Sequence, residues 1–145
     1  MTDTTIDNIS AVLIEQNPDA IIHSDLSGTI RTWNEAAVRI FGFSKEQALG
    51  ANLDIIIPEP FRKAHWDGFE RAVAEGKTKY VGQSLPTKAL KDGGETFYVE
   101  LSFSIVVDAG GEAMGVLSTA RDITERFLKE RENRKLLSEL QKASS

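Results

Sequence analysis

The chain has no cysteine among its 145 residues. That excludes disulfides, thiolate-bound zinc or iron–sulfur sites, cysteine nucleophiles and photochemistry that builds a cysteinyl–flavin bond. No apolar run approaches membrane-spanning length, so no membrane partner is expected. The first residues, Met1-Thr2-Asp3-Thr4-Thr5, lack the basic segment and apolar stretch of a signal peptide, and a cytoplasmic location is the expectation. Lysine and arginine are nowhere clustered, and the formal charge is −5 with a pI near 5.1. Phosphate binding needs a clustered basic surface, so nucleic acid is not an expected partner. Internal repeats, low-complexity tracts and phosphate loops are missing. No carboxylate pair suited to hydrolysis and no nucleophile–base arrangement is present, and the chain is not expected to be an enzyme.

What remains is one domain of patterned sequence. A hydrophobic content of 41% over this length suits a single globular domain with a real core, and no second catalytic domain is expected within these residues. Ile6, Ile9, Leu13 and Ile14, with Val12 beside them, make an amphipathic helix that ends before the turn signal Asn17-Pro18. Residues 20–24 and 29–33 read as strands joined by Asp25-Leu26-Ser27-Gly28. Asn34 caps a helix through Phe41, and Ser44 with Gln47 makes a capping box for a short helix closed by Gly50. A further helix begins around Pro58 to Pro60 and stops at Glu75-Gly76.

Residues 80–90 read as a long strand interrupted by Pro86, which implies an edge position or a bulge, and Asp92-Gly93-Gly94 turns the chain back. Phe97, Val99, Leu101, Phe103 and Ile105 alternate with Tyr98, Glu100, Ser102 and Ser104, the period-2 pattern of a strand with one buried face. Residues 113–121 form a last strand, and Asp122 with Glu125 caps a helix to about Lys142. Its apolar stripe, Ile123, Phe127, Leu137 and Leu140 with Leu128 and Leu136 alongside, is broken by Glu130, Arg131 and Arg134. It reads equally as a solvated flanking helix and as a dimer contact. The order predicts an α+β domain with one sheet and helices on one face.

One histidine stands out. Phe61, His65, Phe69, Ala72 and Val73 fall at helical spacing on one side, so the His65 imidazole points where a core side chain would otherwise go. Spacing leaves two roles for it, a core histidine hydrogen-bonded to a carbonyl or a metal ligand. Ala64, Gly68 and Ala72 make a neighbouring row of small residues, and Gly68 costs about 1 kcal/mol relative to alanine inside a helix. Something flat lying close to this backbone would account for the row, and a porphyrin would satisfy both observations. His23, the other histidine, reads as structural, and Trp33 and Trp66 as packing residues.

Trp33-Asn34-Glu35-Ala36-Ala37, Phe41-Gly42-Phe43-Ser44, Glu46, Gly50, Lys91-Asp92-Gly93 and Arg121-Asp122-Ile123-Thr124-Glu125 occur in the order and spacing of a PAS sensor domain, which the chain resembles from about Glu15 to Glu125. The resemblance implies a PAS fold: a five-stranded antiparallel sheet with short helices on one face, flanked by N- and C-terminal helices. It divides the chain into a flanking helix (1–16), the sensor domain (17–122) and a signalling or dimerisation helix (123–145). Ile57-Pro58-Glu59-Pro60-Phe61-Arg62 followed by His65 further resembles the haem-binding helix of the FixL-type oxygen sensors. That likeness implies haem b, with His65 as proximal iron ligand and Arg71 and Lys79 beside the propionates. It places Tyr80, Leu85, Leu101, Phe103 and Ser118 around the distal pocket.

Two departures stand out. Leu85 occupies the place of an arginine that in related oxygen sensors hydrogen-bonds the gas, and Gln83 that of a methionine ligand in another haem branch. The implied function is detection of a diatomic gas (O2, CO or NO) or of redox state, signalled through the flanking helices of a homodimer to a separate signalling protein. The alternatives are a cofactor-free dimerisation or interaction module and a flavin- or metabolite-binding sensor.

Overall fold

The structure, a computed structural model, describes residues 2–78 and 82–144. Helix α1 (Thr2–Gln16) leads to the hairpin β1 (Ala20–Ser24) and β2 (Ile30–Trp33), then α2 (Glu35–Phe41) and α3 (Lys45–Ala48). Two 3-10 turns (Leu53–Ile56 and Glu59–Phe61) precede α4 (Arg62–Glu75), which is followed by β3 (Ser84–Leu90), β4 (Thr96–Val107), β5 (Ala113–Asp122) and α5 (Thr124–Ser144). Among the described residues five strands form one antiparallel sheet in the order β2-β1-β5-β4-β3. This is the expected α+β architecture.

Register decides which side chains share a face. Leu101 stands opposite Ala120, Phe103 opposite Ser118 and Ile105 opposite Val116, so alternate residues of β4 and β5 line the same inner face. Pro86 sits on β3, an edge strand, where its missing N–H interrupts no ladder on the open side. That strand is shorter than its composition implies. It starts at Ser84, after Gly82 at a φ of 74°, and the expected start at Tyr80 lies outside the described residues.

The core lies where β1 and β2 meet α2. Trp33, Phe41, Ile22, Ile30 and Val99 are almost wholly buried, with the Phe41 ring 5.6 Å from Trp33 and 5.5 Å from Phe97. Trp33 also donates its indole N–H to the Phe43 carbonyl at 3.0 Å. Asn34, 1% exposed, accepts through Oδ1 from the Ile21 and Ala37 amides and donates through Nδ2 to the carbonyls of Ile14 and Asp19. It is therefore the expected helix cap and also the fastening of α1 to β1. The Ser44–Gln47 capping box forms as its sequence implies.

The flanking helices are held by few contacts. Beyond the Asn34 bond, α1 is tied by the Lys45–Glu15 ion pair, while Ile9, Val12, Leu13 and Ile14 remain exposed. The Asp122 carboxylate accepts from the Thr124 amide and hydroxyl, and Phe127 stacks on Tyr98 at 4.1 Å. Ile123, expected on the apolar stripe of the last helix, is instead buried against the domain just before α5 starts. Leu128, Leu136, Leu137 and Leu140 are all exposed.

Replacing Asn34 by alanine removes a helix cap, a loss of about 1 kcal/mol, and strands buried backbone groups at about 1–3 kcal/mol. Urea unfolding of Asn34→Ala is expected to show a loss of about 2–4 kcal/mol with an unchanged slope. A loss below about 0.5 kcal/mol would show that these groups find other partners.

Candidate functional site

Helix α4 follows a 3-10 turn carrying Pro60, a residue tolerated there because its absent N–H would have no partner in a first turn. It ends at Gly76, whose φ of 72° completes the left-handed cap. Of its expected apolar face, Phe69 is buried, and His65, Ala72 and Val73 are half-buried. Phe61 is not: it is 49% exposed and lines a cavity rather than the core.

That cavity, about 950 Å³, lies between α4, the 3-10 turn at 53–56 and the inner face of β3 to β5. Its volume is at the upper end of the roughly 300–1,000 Å³ typical of ligand pockets. His65 lines it beside Ala64, Gly68 and Ala72, and a Cβ placed on Gly68 would meet nothing within 4 Å. The row of small residues thus faces open space, not another part of the chain. Leu101, Phe103 and Ile105 from β4, with Val116 and Ser118 from β5, form the facing wall. The lining also includes three cations, Arg71, Lys77 and Lys88, beside the acids Asp67 and Glu75.

Of the residues expected at the site, His65, Arg71, Leu101, Phe103 and Ser118 are brought together on this one cavity. Leu85 is not among its lining. It is half-buried opposite Leu101 near the start of β3, whereas Pro86 to Ala89 supply the cavity edge. Lys79 and Tyr80 lie outside the described residues. Lys77, Lys88 and Ile105 were legible only as surface or strand residues, because the turn after α4 and the strand pairing are what bring them to the cavity. His23 sits on the other face of the sheet, against Gly115, where a Cβ would come within 2.7 Å of the imidazole.

The His65 ring is held by aromatic neighbours. Trp66 lies edge-on at 4.7 Å and Phe69 at 6.0 Å. Its Nδ1 is buried and has no hydrogen-bond partner among the described residues. An unpartnered buried polar atom costs about 1–3 kcal/mol. Desolvation lowers the His65 pKa from its ordinary value, and the Asp54 charge partly opposes that shift. The imidazole is thereby biased toward the neutral form that a metal requires. Among the described residues no cluster of three histidine or acidic side chains could hold a bare ion, so a metal at His65 would need most of its ligands from a prosthetic group.

A second concavity of about 460 Å³ lies on the opposite sheet face. Most of its polar groups pair with one another: Arg121 with Asp19, Glu100 with Ser84 and Arg126, and Ser102 with Thr119. The inner cavity, mostly apolar and lined by the His65 imidazole, is the better ligand site.

Residues 18–125 match the family model described as PAS domain. The chain belongs to the PAS domain family. It is 32% identical over 123 residues to the sensor protein FixL of Bradyrhizobium diazoefficiens, covering 85% of this chain and 24% of that protein. With the oxygen sensor protein DosP of Escherichia coli it shares 25% identity over 135 residues, 93% of this chain and 17% of that one. The chain thus spans a quarter or less of the length of these relatives. The crystal structure of a PAS domain from Colwellia psychrerythraea superposes with a TM-score of 0.71 at 26% identity, covering 83% of this chain and 98% of that one. No helix among the described residues is long and apolar enough to cross a membrane.

Because the His65 pKa is lower in the folded than in the unfolded state, the unfolded chain binds its proton first as pH falls. The native state should therefore lose stability as pH drops below the ordinary histidine value of about 6.5, levelling off once the folded pKa is passed. Thermal unfolding of wild type and His65→Gln between pH 7.5 and about 5 checks this: the variant should show the shallower dependence, and parallel curves would refute it.

Proposed function

We propose that this PAS domain is a haem-binding sensory module in which His65 is the axial ligand. The observation that carries the reading is a half-buried imidazole, biased toward its neutral form by desolvation, on the wall of a large and mostly apolar cavity whose lining includes several cations. Haem, when bound, supplies an iron centre with reversible redox chemistry and a position for a diatomic gas. Arg71, joined by Lys77 and Lys88 and by Lys79 from the family resemblance, would hold the propionates by charge-assisted contacts. Leu101, Phe103, Ile105 and Ser118 would wall the gas side, with Tyr80 beside them by resemblance. The small row of Ala64, Gly68 and Ala72 leaves room for a flat ring.

Leucine at position 85 cannot act as the charged donor that the family resemblance places there. Such a hydrogen bond is worth about 1.5–3 kcal/mol, roughly ten- to a hundredfold in ligand retention. Carbon monoxide, nitric oxide or redox state is accordingly favoured over tightly held oxygen as the signal. Sensing rather than catalysis fits the cavity, since the described residues of the facing wall, Leu101, Phe103, Ile105, Val116 and Ser118, include no acid–base pair. Transmission would run through β4, which turns Leu101 and Phe103 inward and Tyr98 outward against Phe127 of α5. Exposed leucines on α5 and apolar residues on α1 are suited to a second copy or to a separate signalling protein.

Hemin titration of wild type and His65→Ala, followed by ultraviolet–visible absorption, tests the reading. A strong Soret band in wild type that shifts or disappears in the variant is expected. Free-hemin spectra in both, with His65→Ala of ordinary stability, would replace it with a cofactor-free interaction module. A yellow copurifying chromophore would point to flavin.

A further inference from the structure

A metal-bound histidine ordinarily donates its other ring N–H to a carboxylate or carbonyl, which fixes the orientation of the ring. His65 lacks that partner at Nδ1 among the described residues, so its orientation has to come from elsewhere. The neighbouring Trp66 is anchored at two separate points. Its indole N–H donates to Asp54 Oδ1 at 2.8 Å, and its six-membered ring covers Gly28 so closely that a Cβ there would lie 2.2 Å from it. These two anchors belong to one hydrogen-bonded unit. Leu53 donates its amide to the Gly28 carbonyl at 3.1 Å, Thr29 bridges to Asn52, and the Asn52 side chain accepts from the Asp54 amide at 2.8 Å. Arg62, from the first turn of α4, closes the unit on the Asp54 carbonyl at 3.3 Å.

We infer that Trp66, locked between Asp54 and Gly28, is the positioning residue that sets the His65 ring in place of the usual hydrogen bond. Phe69 backs both rings, 5.1 Å from Trp66 and 6.0 Å from His65. The consequence is mechanical. The β1–β2 turn that carries Gly28 is joined to the imidazole through one rigid indole, so displacement of the turn and rotation of the ring are linked. The inference rests on the haem reading for what the ring holds, but not for how the ring is oriented.

Histidine-ring nitrogen NMR of the haem-free protein reads the orientation directly, with His23 on the opposite sheet face as internal control. Wild type should give a single sharp set of His65 signals. Trp66→Ala and Asp54→Ala should shift and broaden them while leaving His23 unchanged, Trp66→Phe should fall between, and Asp54→Asn, which keeps an acceptor, should restore them. Hemin affinity should fall about 10–100-fold in Trp66→Ala, the range for losing an outer partner of a metal ligand, with a shifted iron–histidine stretching band. Should Trp66→Ala not fold, Trp66→Phe and the two Asp54 variants decide the matter. His65 signals and hemin affinity unchanged across the folded variants would overturn the inference. Ring signals that respond to Trp66 in a protein that never ligates hemin would keep the positioning role and overturn the haem reading instead.

Discussion

The Asn34 side chain is the constraint on which the arrangement depends. Almost wholly buried itself, it meets two amides and two carbonyls from α1, β1, α2 and the loop between α1 and β1. An amide is the one neutral side chain that offers both donors and an acceptor in a fixed plane, so neither aspartate nor serine would satisfy the same set. With that joint closed, β1 lies at a fixed angle to the first helices, and β5 follows by pairing along its length. The position of β4, and with it the cavity wall, is inherited from there.

Across the inner face of the sheet the packing is uneven. Over β1 and β2 the large rings of Trp33 and Phe41 fill the space to the helices. Toward β4 and β3 the facing helix is α4, which presents Ala64, Gly68 and Ala72 and so leaves a cavity between itself and Leu101, Phe103 and Ile105. Protein interiors ordinarily close such gaps, because unfilled space forfeits dispersion contacts on both sides. Here Trp66, bonded to Asp54 and packed over Gly28, ties α4 to the preceding 3-10 turn and to the β1–β2 turn rather than to the sheet opposite the cavity.

Much of the fold was legible in the chain because its signals are local. Asn34, the Ser44–Gln47 box and the period-2 run of β4 each specify a short element through neighbouring residues, and each element forms where its pattern lies. The ends of elements were less legible. Residues 80–90 read as one strand, yet β3 is paired only from Ser84, since strand length depends on a partner distant in sequence. Phe61 and Ile123 exchanged their expected environments for a similar reason: periodicity tells which residues share a face, but not what that face meets.

At the site, the sequence alone determined that His65 lies on a helix face with apolar and small residues around it, because helical spacing follows from backbone geometry. Residue type and order also determined the family, through motifs whose turns and caps act locally. Only the tertiary structure decided that Arg71, Lys77 and Lys88 meet at one cavity, that Leu85 stands outside its lining, and that Trp66, anchored to Asp54 and Gly28, lies edge-on against the imidazole. Those relations join residues dozens of positions apart. They exist only after strand pairing and core packing have brought Gly28, Asp54 and α4 into contact, and no local pattern encodes that meeting.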